Sequence, residues 1–273
     1  MDHFDFDRYR YFDYKHNIEG YSGQDFDGAP KTWYMLFGVF SVPLFAFLLR
    51  KVSKERITLV LKWLCLFLVL WDVSKISWES WWDINTGRGF NAGGILPFDT
   101  CSLCTFILPA AMFGKGKIKE SALAWVTVVG FIGGFASFVQ LNALKWYPVL
   151  TFGANYSMLY HYIMVFVSVW IVFSGYLRLR PKHILYAFAV HAACSAVVIT
   201  LDYVFKWDYM LYRTAGGVPL IGDLHDKLAE KGVGFLTTGV MLLIYFALIA
   251  LIALAFMLIQ RLMLKGRETK PAA

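Results

Sequence analysis

Charged residues are scarce in this sequence: they make up 16% of its 273 residues, whereas a soluble domain carries roughly a quarter. Hydrophobic residues account for 58%. This shortage of charge excludes an ordinary soluble domain and indicates a polytopic membrane protein. The net charge is +7, but the basic residues stand in short clusters between apolar runs, so nucleic-acid binding is not expected.

Cysteine is also sparse, and the features of a secretory signal peptide are missing. Cys65, Cys101, Cys104 and Cys194 all lie inside apolar runs, so no disulfide framework is expected in a polar loop. The stretch from Asp2 to Asp27 is acidic and aromatic, without the basic start and short apolar core of a signal peptide.

Long apolar stretches are what the sequence does contain, and a spanning helix needs about 20 such residues. The predicted spans are Trp33–Leu49, Ile57–Trp82, Ile95–Phe113, Ser121–Leu141, Ser157–Tyr176, His183–Phe205 and Phe235–Met263. The predicted fold class is therefore all-α, with seven transmembrane helices in one membrane domain, residues 32–264. Residues 1–31 are predicted to form an aromatic and acidic arm, and residues 265–273 a tail.

Lysine and arginine alternate between the loops, and this alternation predicts an orientation. The first, third and fifth loops and the C-terminal tail are basic, with Arg50, Lys51, Lys54, Arg56, Lys115, Lys117, Lys119, Arg178, Arg180, Lys182, Arg261, Lys265, Arg267 and Lys270. The second and fourth loops have one basic residue each, and acids offset those of the sixth. The positive-inside rule then places the C-terminus in the cytoplasm and the N-terminus outside, in a multi-pass protein of the cell membrane.

Four ionisable residues lie in the outer half of the second predicted span: Asp72, Lys75, Glu79 and Asp83. Their spacing of three, four and four residues puts them on one helical face. Two interpretations stay open. Either Asp72 pairs with Lys75 and Lys75 with Glu79 in a self-contained buried network, or the stripe forms the wall of a polar cavity.

The third and fifth predicted spans both start on the outer side, which brings Cys101 and His161 to nearly the same depth. Pro97 suits the first position of a helix, so Asp99 is expected in the first turn, where a carboxylate favours the helix dipole, and Cys101 in the next. Cys101 is either a small packing residue or a nucleophile. His161 is either a hydrogen-bonded core residue or the base that takes the thiol proton.

Other polar groups fall at the same outer level or beside Cys101. Gln140 ends the fourth predicted span and Asp202 lies at the end of the sixth, so both are candidate supporting residues. The Cys101-x-x-Cys104 spacing is expected to put both thiols on one helical face. A quinone-coupled oxidoreductase also needs a cysteine pair in an outer loop, and zinc needs two further ligands where only His161 is near. No cofactor and no metal are therefore expected.

The stretch Leu96-Pro97-Phe98-Asp99-Thr100-Cys101 resembles the Leu-Pro-Leu-His-Leu-Cys signature of the YwaF-like integral membrane proteins. That family is similar to the eukaryotic transmembrane-protein-164 acyltransferases of ether phospholipids. Further matches, over roughly residues 33–260, are the glycine-rich segment 130–134, His161, Asp202-Tyr203 and Asp208-Tyr209-Met210. Asp99 stands where the signature has His, and Asp202 and Asp208 stand where the family has Asn.

The resemblance implies a compact helical protein with an outward-facing polar cavity. In the eukaryotic relatives it implies a Cys nucleophile that moves an acyl chain between phospholipids; here that residue is Cys101, with His161 as its partner. The supporting or substrate-binding residues of this hypothesis are Asp72, Lys75, Glu79, Asp99, Gln140 and Asp202. Membrane lipids are the expected partners. The alternative is a non-enzymatic cavity for a small polar solute or lipid head group, as in a transporter, a substrate-binding subunit or a receptor.

Overall fold

The computed structural model describes residues 11–14, 29–140, 147, 151–215 and 220–268. Three helix ends are described by their backbone alone: residues 29–31, 139–140 and 265–268. Every regular element in these ranges is a helix. Six helices are long and apolar enough to cross a membrane: Thr32–Lys51, Lys54–Asn85, Gly116–Phe138, Phe152–Ser174, Pro181–Phe205 and Leu236–Leu264. The all-α, multi-pass membrane class predicted from the sequence is confirmed to that extent.

The elements follow one another along the chain. Helix α1 (Ala29–Leu36) continues through a π-helical turn (Phe37–Ser41) into α2 (Val42–Leu48) and a 3₁₀ turn (Leu49–Lys51). The others are α3 (Lys54–Asn85), α4 (Ala92–Ile95), α5 (Cys104–Phe113), α6 (Gly116–Gln140), α7 (Phe152–Ser174), α8 (Pro181–Phe205), a 3₁₀ turn (Tyr209–Leu211), α9 (Ile221–Ala229) and α10 (Leu236–Glu268). Helix α10 extends to Glu268, beyond Met263, where the seventh predicted span ends.

The third predicted span, Ile95–Phe113, is wrong as a continuous helix. After α4 the chain is non-helical over residues 96–103, and α5 begins only at Cys104. Leu96 is extended, with a ψ of 149°, because the ring of Pro97 disfavours the helical conformation in the residue before it. With 10 residues, α5 is about 15 Å long, roughly half the thickness of the hydrocarbon core.

Two predictions that depended on that helix are corrected. Asp99 is not in a first helical turn and Cys101 is not in the next one, because both lie in the non-helical 96–103 segment. Cys101 and Cys104 therefore share no helical face: Cys104 starts α5 and is buried, whereas Cys101 is half-buried. Non-helical backbone at membrane depth is tolerated where protein encloses it or where it lines a cavity.

Helices α6 and α7 form the centre of the bundle. In their apolar windows 61% and 67% of the residues are buried, against 17–28% in the other four long helices. Gly134 lets them approach closely, since a Cβ there would lie 2.8 Å from Val165 Cγ2 and 3.1 Å from the carbonyl oxygen of His161. The outer helices expose many Leu and Phe side chains, as lipid-facing surfaces do.

Residues 11–14 of the predicted N-terminal arm are docked on the end of α3, and residues 29–31 of that arm begin α1. The indole N–H groups of Trp78 and Trp82 both donate to the carbonyl oxygen of Phe12, at 3.0 and 2.9 Å. Tyr14 is buried. This short segment therefore covers the end of the bundle at which the polar side chains of α3 collect. The rest of the arm before Ala29 lies outside the described residues.

Candidate functional site

A polar cavity of about 520 Å³ lies where α3 ends and α7 begins, with the 96–103 segment forming another of its walls. Five of the residues predicted for the site line it together: Lys75, Glu79, Asp99, Cys101 and His161. Asp72 and Asp202 do not line it, and the side chain of Gln140 lies outside the described residues. Side chains from distant parts of the sequence thus meet in one cavity, as the depth argument predicts.

His161 lines this cavity, and a hydrogen bond to the backbone fixes the tautomer of its ring. Its Nδ1 lies 2.6 Å from the carbonyl oxygen of Ser157, one turn earlier on α7. Because a carbonyl can only accept, Nδ1 carries the proton and the neutral ring leaves the lone pair on Nε2. Nε2 is buried and has no hydrogen-bond partner among the described residues. The Nε2 lone pair of His161 is thus left to accept a proton or a hydrogen bond.

Cys101 shares the cavity with His161, but no hydrogen bond joins the two side chains in the described part of the chain. The Cys101 Sγ lies 3.8 Å from Ser102 Oγ, a distance compatible with a weak hydrogen bond. The backbone N–H groups of Cys101 and Ser102 lie close to the Cys101 sulfur. A thiol therefore lies beside two backbone donors, and donors near a nucleophile are what a developing oxyanion requires.

Lys75 and Glu79 form an ion pair on the α3 wall, with 2.6 Å between Nζ and Oε2. Lys75 Nζ also donates to the carbonyl oxygen of Ile95 at 3.2 Å, which ties α3 to the end of α4. Tyr147 donates a short hydrogen bond to Glu79. The sequence left open whether the ionisable residues of α3 form a buried network or the wall of a cavity. Lys75 and Glu79 do both, because they form a buried ion pair that also lines the cavity.

Asp72 has a different role from the one predicted. It is 2% exposed and accepts from Tyr156 OH at 2.5 Å and from Thr105 Oγ1 at 2.8 Å. Thr105 in turn lies 2.8 Å from Tyr160 OH. No ion pair joins Asp72 to Lys75 among the described residues; each carboxylate oxygen of Asp72 accepts from a hydroxyl instead. The imidazole of His161 is oriented by a backbone carbonyl and not by Asp72.

Asp202 is also removed from the cavity. It is fully buried, and its Oδ1 accepts from the backbone N–H of Tyr209 at 2.9 Å. Tyr209 OH donates to Ala92 O at 2.5 Å, and the Met210 N–H donates to Asp99 Oδ1 at 3.3 Å. The turn after α8 therefore supports the wall that carries Asp99, and Asp202 acts on the site only through this turn.

Sequence reasoning missed the aromatic hydroxyls of the site. Tyr14, Tyr147 and Tyr156 line the cavity. Burial, with the neighbouring carboxylates of Glu79 and Asp83, raises the pKa of Tyr14, so its hydroxyl stays protonated and able to donate. The spacing of Tyr156 from His161 on α7 was a usable signal, but nothing in the sequence indicated that residues far before α1 or between α6 and α7 reach the same cavity.

Metal-ligand geometry is absent from the described residues, where no group of three His, Cys, Asp or Glu side chains could hold an ion. The fold and cavity define a class: a helical multi-pass membrane protein with a mixed-charge cavity at one end of its bundle. Comparison with protein-family models, curated proteins and solved structures finds no match to the chain. The resemblance to the YwaF-like proteins stays a prediction based on the order and spacing of short motifs.

Proposed function

We propose that this protein is a membrane enzyme that transfers or hydrolyses acyl groups, with Cys101 as nucleophile and His161 as general base. The observation that carries the proposal is that His161, whose Nε2 has no hydrogen-bond partner among the described residues, lines the same cavity as the Cys101 thiol. A neutral imidazole with a fixed tautomer can take a thiol proton as attack begins. The missing hydrogen bond between the two groups is compatible with this, since such contacts often tighten only when substrate binds.

The reaction balances with these two residues alone. His161 Nε2 takes the thiol proton, and Cys101 Sγ attacks the ester carbonyl carbon of a lipid. The ester C–O bond breaks, and the imidazolium gives its proton to the departing alkoxide. An acceptor hydroxyl, or water, then loses its proton to Nε2 and attacks the thioester carbonyl carbon. The C–S bond breaks, which releases the acyl product, and the imidazolium returns its proton to the Cys101 thiolate. The N–H groups of Cys101 and Ser102 stabilise the oxyanion in both steps.

The remaining cavity groups suit a charged lipid head group. Lys75 has three N–H groups, of which Glu79 and Ile95 take two, so it can offer the third to a phosphate oxygen. Asp99, which is exposed to the cavity, offers an anion to an ammonium group. A head group held at this wall would keep the glycerol esters close to Cys101. Positioning of this kind supplies a large share of the rate acceleration in enzymes that act on bound esters.

The proposal also covers the orientation of the protein in the membrane and a seventh membrane crossing. The basic loops favour a cytoplasmic C-terminus, so the cavity would face the outer leaflet of the cell membrane, and the 96–103 segment with α5 would complete a broken third span. A fluorescent reporter that folds only in the cytoplasm should be active when fused to the C-terminus. A reporter active only outside the cell in that position would reverse the orientation and place the cavity in the inner leaflet.

A second candidate is a binding protein without catalysis, which would use the same cavity for a polar solute or a lipid head group. The Lys75–Glu79 ion pair and the unjoined Cys101 and His161 favour it. The two candidates differ in covalent chemistry. Purified protein treated with an alkyne-tagged long-chain acyl ester should be labelled through a thioester, with label lost in Cys101→Ala and kept in Cys104→Ala. Label that survives in Cys101→Ala would reject the enzyme and leave the binding protein.

A further inference from the structure

The described residues before α1 form one wall of the polar cavity, and we call residues 11–14 the strap. Tyr14 lines the cavity and is only 8% exposed. On the same short segment Tyr11 and Phe12 are 45% and 59% exposed. Residues 85–89, where α3 ends, are exposed and carry no large apolar side chain, as expected where a bundle meets water. The strap therefore has an inner side that borders the cavity and an outer side that faces away from the protein.

Hydrogen bonds to backbone carbonyls hold the strap across the ends of two helices. The carbonyl oxygen of Phe12 accepts from the indole N–H groups of Trp78 and Trp82 on α3, at 3.0 and 2.9 Å. The carbonyl oxygen of Tyr11 accepts from the backbone N–H of Phe152 at 2.6 Å. Phe152 is the first residue of α7, so its N–H has no acceptor within its own helix. The strap therefore bridges the two helices between which the cavity lies.

Aromatic rings fill the space between the strap and both helices. The Tyr14 ring packs edge-on against Trp78, with 5.3 Å between the ring centroids. The Phe12 ring lies 5.7 Å from that of Phe152. Trp78 and Phe152 also contact each other, at 5.1 Å. These ring contacts form an apolar seal next to a polar cavity, and an apolar seal keeps water out.

The seal lies at the edge of the bundle and depends on few contacts. Segments of this kind open locally at a lower free-energy cost than the core around them. We propose that the strap is a lid that closes the cavity toward water, and that it opens when the Phe12 carbonyl leaves the two indoles. In an acyl enzyme a closed lid keeps water away from an acylated Cys101. In a binding protein it slows the escape of the bound molecule, so the lid is independent of which function proposed above is correct.

The lid determines how fast a water-soluble reagent reaches Cys101. The full chain in lipid nanodiscs is treated with 2-sulfonatoethyl methanethiosulfonate, a charged thiol reagent that does not dissolve in lipid, and the modified cysteine is identified by peptide mapping. The double variant Trp78→Phe, Trp82→Phe keeps an aromatic ring at both positions and loses both indole donors. Cys101 should then react about tenfold faster than in wild type, since each hydrogen bond favours the closed state severalfold. The matched control is Trp33→Phe, Trp63→Phe: these tryptophans are 70% and 64% exposed, and their replacement should leave the rate unchanged.

A second variant loosens the strap from its outer side and protects the test against misfolding of the first. Tyr11→Ala, Phe12→Ala changes two exposed side chains and retains the carbonyl acceptors. Cys101 should therefore react faster than in wild type but more slowly than in the tryptophan variant. Cys65, which is 3% exposed and does not line the cavity, is the internal control and should react equally slowly in every variant.

Two results would overturn the lid. One is a Cys101 rate that stays at the wild-type value in both variants. The other is an equal rise at Cys65 in both variants, which would show a general loosening of the bundle. Because the reagent reports access and not acyl transfer, loss of the proposed enzyme activity would leave these rates unaffected.

Discussion

Gly133 of α6 and Cys101 are in backbone contact: a Cβ added to Gly133 would lie 3.2 Å from both the Cα and the N of Cys101. The next residue, Gly134, has a similar relation to α7, where an added Cβ would lie 3.1 Å from the carbonyl oxygen of His161. Two adjacent glycines thus let both site residues approach one central helix. The position of the candidate nucleophile relative to the candidate base is set by this packing against α6.

The first prediction concerns Gly133→Ala. Alanine is more favourable than glycine in a helix by up to about 1 kcal/mol. The new Cβ must push the Cys101 backbone away, however, and such overpacking costs about 1–3 kcal/mol. We expect a lower Tm and slower labelling of Cys101 by an acyl ester. Gly239→Ala on α10 is the matched control, since nothing lies within 4 Å of its added Cβ, and it should hold or raise the Tm. Wild-type labelling with an unchanged Tm in Gly133→Ala would contradict the packing account.

The second prediction concerns Asp72→Asn. Both carboxylate oxygens accept from hydroxyls, so the amide NH₂ of asparagine would force one hydroxyl to accept instead of donate, and both hydrogen bonds would lose the charge of their acceptor, at a cost of roughly 1–3 kcal/mol. Thermal unfolding in detergent should show a clear fall in Tm. Asp223→Asn, an exposed residue of α9, removes the same charge and should change the Tm little. Equal effects of the two substitutions would mean that the hydroxyl network contributes nothing specific.

The third prediction concerns the ion pair of Lys75 and Glu79. Removing either partner leaves the other charge in a largely buried site, at a cost of about 3 kcal/mol. Lys75→Met and Glu79→Gln should each destabilise the protein, and the double variant should be less destabilised than the sum of the two. Unfolding measurements on this double-mutant cycle give the coupling directly. Additive effects would show that the two groups do not interact, despite their 2.6 Å separation.

Much of the fold and part of the site follow from the sequence, because hydrophobicity determines which segments are enclosed by lipid. That argument locates the long helices and places Cys101, His161, Lys75, Glu79 and Asp99 at one depth. It fails at Pro97. The restriction that the proline ring places on the backbone of Leu96 ends α4 at Ile95, although the segment that follows is apolar. Apolar composition cannot distinguish a spanning helix from a broken one.

The partners of buried polar groups are the other part that the sequence leaves open. Charge alone suggests that Asp72 pairs with Lys75 one turn away, but packing brings hydroxyls from α5 and α7 to that carboxylate instead. Asp202 is likewise bonded to the turn after α8 and not to the cavity. The hydropathy of a single helix predicts how deep its residues lie in the bilayer. Whether a side chain points into a cavity depends instead on how several helices pack.

The most direct test of the central claim is the rate at which Cys101 is acylated by a lipid ester, followed by intact-protein mass spectrometry and peptide mapping. The matched variants are His161→Gln and His191→Gln, which each remove a buried histidine, only the first of them in the cavity. The account predicts an adduct on Cys101 in wild type and His191→Gln, and a rate at least about a hundredfold lower in His161→Gln. An unchanged rate in His161→Gln, or an adduct that maps to another cysteine, would contradict it.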